Sequence, residues 1–154
     1  MKKVSMFLVV LTLVLFGLAL TGSVFSWDRG QADKPLLDAK TGKKLPEGGG
    51  EPGKAYGVYC KALVGKDGAT IRKMAPEIMG KVPEAEFKRS LDIISEMTPK
   101  DVKIVDGYGS GDRATLYVTG TLEKEKNYGT VDMVKKAGQW TIRYESWENT
   151  PPKK

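Results

Sequence analysis

The chain has 154 residues, 40% of them hydrophobic and 29% charged, the make-up of one ordinary globular domain, which excludes wholesale disorder and a multi-span membrane protein. Its formal charge of +6 includes Lys2 and Lys3, so beyond the first 26 residues only 23 bases face 19 acids. They interleave, as in Glu123-Lys124-Glu125-Lys126, leaving no basic face for nucleic acid.

Met1-Lys2-Lys3 and the apolar run Val4 to Leu20 form the basic and hydrophobic regions of a secretory signal. Val24 and Ser26 fit the small positions before a cut at Trp27, giving a signal peptide over 1–26 and a secreted or periplasmic protein. The alternative is an uncleaved N-terminal anchor, since the run is near the length that spans a bilayer. That anchor would be the only membrane contact. Leu20-Thr21-Gly22-Ser23 has the form of a lipoprotein box, but Ser23 stands where a lipidated cysteine is required. From 27 to 53 the composition turns to Gly, Pro, Lys and Asp without period, including Gly48-Gly49-Gly50, and reads as a flexible linker.

A folded domain over 54–150 follows. Ala55, Tyr56, Tyr59, Cys60 and Leu63 recur at spacings of three and four, which predicts an amphipathic helix between Pro52 and Gly65. Asp67-Gly68 opens a shorter helix ended by Pro76. Pro83 opens a third, with Phe87, Leu91 and Ile94 on one stripe, closed by Thr98-Pro99. Beyond Pro99 the period becomes two. Strands are predicted over Val102–Tyr108, Ala114–Leu122, Tyr128–Lys136 and Gln139–Trp147, with turns at Gly109-Ser110-Gly111, near Lys126-Asn127 and at Ala137-Gly138. Such short turns require antiparallel pairing, so the fold class is α+β: three helices laid on a curved antiparallel sheet of about four strands.

Alternation assigns the faces. Leu116, Val118, Met133, Trp140, Ile142 and Tyr144 are expected to face the helices, and Tyr117, Thr119, Asp132, Arg143, Glu145 and Trp147 to face away. Tyr117, Thr119, Arg143 and Trp147 therefore form a candidate interface for a homodimer packed sheet to sheet, or for another protein.

The series Ala55-Tyr56…Tyr59, Ala69…Met74-Ala75-Pro76, Asp112-Arg113-Ala114-Thr115-Leu116-Tyr117-Val118, Gly129-Thr130-Val131-Asp132-Met133-Val134-Lys135 and Gly138-Gln139-Trp140-Thr141-Ile142 resembles the NTF2-like superfamily with its cystatin-like fold, over about Pro52 to Trp147. The resemblance implies a cone-shaped cavity between helices and sheet. Here its lining would be Tyr56, Tyr59, Phe87, Leu116, Val118, Met133, Trp140 and Tyr144, an apolar pocket for a small molecule with tyrosine hydroxyls as its polar groups. Superfamily enzymes that move protons pair a carboxylate with a tyrosine or other donor; the nearest analogue is Asp106 beside Tyr56 or Tyr59, Asp106 sharing strand parity with Val102 and Ile104.

Other chemistry is poorly supplied. The chain lacks histidine, which removes Ser-His-Asp and Cys-His catalysis and histidine metal sites, and the lone Cys60 allows no intrachain disulfide. Glu77, Glu84 and Glu86 alternate with Lys81 and Lys88 as a solvated surface, so no metal site is assigned. Gly107 to Asp112 lacks the Lys-Ser or Lys-Thr of a phosphate loop, and no cofactor is assigned. The expected function is an exported, non-catalytic module that binds an apolar small molecule in its cone or a partner through its sheet. The alternative is a small isomerase- or dehydratase-like proton-transfer enzyme.

Overall fold

The computed structural model describes residues 35–151; the signal segment, Ser23 and the cleavage position lie outside them. Four helices, α1 (Gly50–Gly65), α2 (Gly68–Met74), α3 (Pro76–Met79) and α4 (Glu84–Glu96), precede a meander of β2 (Lys100–Ser110), β3 (Arg113–Leu122), β4 (Glu125–Lys136) and β5 (Gln139–Glu148). A two-residue strand, β1 (Lys43–Lys44), pairs with β2, so the antiparallel sheet has five strands in the order β1-β2-β3-β4-β5. The α+β class, with helices packed on a curved antiparallel sheet, is as expected. The one-turn α3 and β1 escape periodicity because neither is long enough to show a period.

Local chemistry sets the helix ends. The Asp67 side chain accepts from the Thr70 amide at 3.2 Å and the Thr70 hydroxyl at 2.6 Å, capping α2. Pro76 opens α3, and Thr98 Oγ1 donates to the Ile94 carbonyl at 2.6 Å where α4 closes before Pro99. Of the predicted stripe of α1, Tyr56, Tyr59 and Leu63 are buried, joined by Ala62, while Ala55 and Cys60 are partly buried, and α4 contributes Phe87 and Ile94. These meet Leu116, Val118, Val131, Met133 and Ile142 of the sheet in one core.

Three single-residue insertions interrupt the ladders, one between Lys100 and Lys103 at the start of β2 and two farther along the strands. In β5, Met133 pairs with Ile142 but Asp132 pairs with Tyr144, so Arg143 is an extra residue. In β2, Ile104 pairs with Val118 but Asp106 pairs with Tyr117, so Val105 is extra and stands exposed. Beyond each bulge the faces exchange. The β3–β4 connection also differs from the expected turn near Lys126-Asn127: it sits at Glu123-Lys124, both with positive φ, and Lys126 and Asn127 are in β4.

The stretch read as linker is folded from residue 35 onward. Leu36 and Leu37 lie on the outer sheet face, where the Leu36 amide donates to Asp132 at 3.0 Å and the Leu37 amide to Thr115 Oγ1 at 2.9 Å. The chain then pairs with β2 as β1, and Leu45 packs against the core on the other face. It thus clasps the sheet edge. Gly48, Gly49 and Gly50 all have positive φ, at 75°, 77° and 62°, and make the tight turn into α1 rather than a free tether.

On the inner face Gly129 and Gly120 leave a slot that the Trp147 indole fills; a Cβ on Gly129 would stand 2.7 Å from Val118 Cγ2 and 3.0 Å from Trp147 Cδ2. Gly129→Val is expected to lose about 1–3 kcal/mol of stability through overpacking, measured by urea unfolding; an unchanged midpoint would show that the slot is loose. Asp132→Ala removes the acceptor of the clasp and is expected to cost about 1–3 kcal/mol, with amide exchange accelerating at Leu36 and Leu37 ahead of the core strands.

Candidate functional site

The bulge at Arg143 turns Glu145 and Trp147 into the cone, opposite Val131 and Gly129, and sends Tyr144 to the outer face. Sequence alternation had placed all three on the opposite sides. Glu145 Oε1 accepts two hydrogen bonds, from Tyr56 Oη of α1 at 2.6 Å and from Trp147 Nε1 at 2.9 Å. Its other oxygen, Oε2, is buried and accepts no hydrogen bond of normal geometry from the described residues, although the Tyr59 hydroxyl stands close enough to act on the carboxylate. A helix and a strand therefore hold one side of a carboxylate and leave the other side open.

Electrostatics follow from burial. Loss of hydration pushes the Glu145 carboxyl above its ordinary range, against the opposing pull of the Tyr56, Trp147 and Tyr59 donors. Burial, then the nearby carboxylate, raise the Tyr56 and Tyr59 phenols well above their usual value. The Cys60 thiol is pushed to about 12, by burial first and Glu145 second. It is therefore no ready nucleophile at neutral pH. Cys60 is nevertheless only partly buried, so this cluster lies one side chain below the surface of α1.

Most of the residues expected to line a cone lie in the packed core. Tyr56, Tyr59, Phe87, Leu116, Val118 and Met133 are buried together in the core. Trp140 is only half-buried at the sheet end, its ring 5.7 Å below Lys135 Nζ, and Tyr144 has left the cone. Of the expected outer residues, Tyr117 and Thr119 remain outside and half-buried, Arg143 is the exposed bulge, and Trp147 is inside.

Asp106, the candidate base, is on the outer face, because Val105 breaks the parity it shared with Val102 and Ile104. It accepts from the Gly107 amide at 2.9 Å and from Tyr108 Oη at 3.2 Å, with Lys44 at 3.7 Å. It meets neither Tyr56 nor Tyr59. The carboxylate beside the core tyrosines is Glu145; Gly129 and Gly120, two strand glycines on one face, were a legible sign only that a large side chain, Trp147, turns inward there.

No protein-family model matches the sequence, and no curated protein matches it. Among solved structures, a candidate NTF2-like transpeptidase from Campylobacter jejuni is similar at 17% identity, covering 59% of this chain and 95% of its own, with a TM-score of 0.41. An NTF2-like protein of unknown function from Pseudomonas putida is similar at 12% identity, over 61% of this chain and 80% of its own, with a TM-score of 0.40. The structural neighbours include NTF2-like proteins. A de novo designed protein with a curved β-sheet is similar too, at 17% identity over 61% of this chain and 92% of its own, with a TM-score of 0.42. Likeness at these identities concerns the fold, and the site is read from its own residues.

The raised Glu145 carboxyl gives a pH signature. At pH below its ordinary value of 4.5 it is protonated folded or unfolded and contributes nothing. As pH rises past that value the unfolded chain loses its proton first, so stability falls until the raised folded value is passed. Glu145→Gln keeps an acceptor for Tyr56 and Trp147 but does not titrate. Its melting temperature, relative to wild type, is expected to climb as pH rises from the ordinary value; a constant difference would mean that Glu145 titrates normally. Asp132, also raised by burial, is common to both proteins and cancels.

Proposed function

We propose that this domain is a non-catalytic binding module, working outside the cytoplasmic membrane, whose cone holds a small apolar molecule by one donor placed on Glu145 Oε2. The observation that carries this reading is that oxygen: buried, and accepting no hydrogen bond of normal geometry from the described residues. Buried acceptors are nearly always paired, so an orphan of this kind marks the place of a missing partner. Tyr56, Tyr59, Phe87, Leu116, Val118 and Met133 pack together in the core on this side of the sheet, which keeps the ligand small. The export half of the proposal is supported by Lys2, Lys3 and the apolar run Val4 to Leu20.

One observation favours proton transfer as a second reading: a carboxyl raised by burial lies 2.6 Å from a tyrosine hydroxyl, the pairing such chemistry uses. Glu145 replaces Asp106 in that role. Isotope exchange at an activated carbon of a bound compound, in deuterated water, separates an enzyme from a binder.

The test is a heteronuclear NMR titration of the full chain with small apolar alcohols, amines and acids. Shifts centred on the Trp147 indole N–H and on the α1 amides around Tyr56, weakened about tenfold or more in affinity by Glu145→Gln, are the expected result. Shifts confined to Thr119, Tyr128 and Tyr144 would transfer the binding role to the outer sheet face, where these residues are half-buried. That face is then the surface for a partner or a second copy.

A further inference from the structure

We infer that the molecule completing this site is an organic cation, a primary or secondary ammonium on a small apolar body. The inference rests on the binding reading above and goes further, to the charge of the ligand.

The argument starts with the donors already present. Tyr56 and Trp147 are neutral and both use Oε1, and the third donor that acts on the carboxylate, Tyr59, is neutral as well. No lysine or arginine acts on Glu145. The ion pairs of the described residues lie elsewhere: Lys44–Asp106, Lys66–Asp92, Arg72 and Lys88 with Glu84, Lys135–Glu51 and Lys136–Glu77. A carboxylate in this position has surrendered its hydration without gaining a countercharge, and a charged donor recovers more of that loss than a neutral hydroxyl does.

The geometry narrows the cation further. A guanidinium fork needs both carboxylate oxygens, and Oε1 is taken. A hard divalent ion needs several oxygen ligands, whereas among the described residues no group of three metal-ligating side chains gathers here or elsewhere. A single N–H donor on a positive centre needs only Oε2. Tyr56, Tyr59 and Trp147 belong to the same buried core and suit an apolar body. An anionic ligand would be repelled.

The full chain is titrated at neutral pH with alkylammonium ions from ethyl to octyl and with the alcohols of matching length, binding being read from the Trp147 indole resonance. The ammonium of the best length is expected to bind about tenfold or more tightly than its alcohol. That preference is lost in Glu145→Gln and kept in Glu145→Asp, which retains the charge should the glutamine variant fold poorly. Alcohols binding as tightly as ammonium ions would overturn the cation inference while leaving the binding reading intact. Binding of neither series would remove both, and an ammonium preference that survives Glu145→Gln would move the cation away from this carboxylate.

Discussion

The extra residue at Arg143 is the constraint on which the interior depends. Without it, β5 beyond Ile142 would turn Tyr144 and Ser146 inward and leave Glu145 and Trp147 on the outer face; with it, Trp147 meets the bare backbone of Gly129 opposite. The insertion is matched by what lies across the sheet, because any side chain on Gly129 would collide with the indole. A bulge also bends its strand and increases local twist. The residue that selects which side chains enter the cone thus also curves the sheet that forms its wall. Val105 shifts phase in the same way in β2, bringing Gly107 beneath Leu116 and Leu45 and leaving Asp106 outside.

Stability does not account for what the bulge brings in. Apolar side chains of similar volume commonly replace a buried ionic or strongly polar group with no loss, and often with a gain. The Tyr56–Glu145–Trp147 trio places a carboxylate among Val118, Val131 and Met133 in a small domain with little core to spare. It fixes the helix α1 against β5 through one oxygen, but a glutamine or a water-filled gap could do that without a charge. The expense of the second, unused oxygen is what the binding reading explains.

Much of the architecture was legible in the sequence, and the failures share one cause. Helix α1 is readable because Tyr56, Tyr59 and Leu63 repeat at helical spacing, and β3 is readable because Ala114, Leu116 and Val118 alternate without interruption and all face inward. The faces of β2 and β5 were assigned correctly only as far as their bulges. Neither Val105 nor Arg143 is a glycine or has positive φ, so nothing in the residue type announces the insertion, and alternation carried past it inverts every later side chain. The triple glycine misled for another reason. Composition alone cannot separate a flexible run from three successive positive-φ positions, and only the packing of Gly49 against Leu116 and Ile104 decides it.

The two buried carboxylates of the sheet provide a comparison within one molecule. Asp132 and Glu145 belong to neighbouring strands and face opposite sides, and burial raises both above their ordinary range. Asp132 is fully employed by its own chain: Oδ1 accepts from Thr115 Oγ1 at 2.6 Å and from the Leu36 amide at 3.0 Å, and Oδ2 from the same amide at 3.1 Å. That is how a buried carboxylate with a structural task is satisfied, by bringing a segment of backbone to it. Glu145 is half-buried as a residue but its Oε2 is enclosed, and its two close donors, Tyr56 and Trp147, both use Oε1, so Oε2 accepts no hydrogen bond of normal geometry. This fold does supply donors to the buried carboxylate on its outer face, and the enclosed Oε2 beside the core tyrosines is where the donor of the proposed ligand would sit.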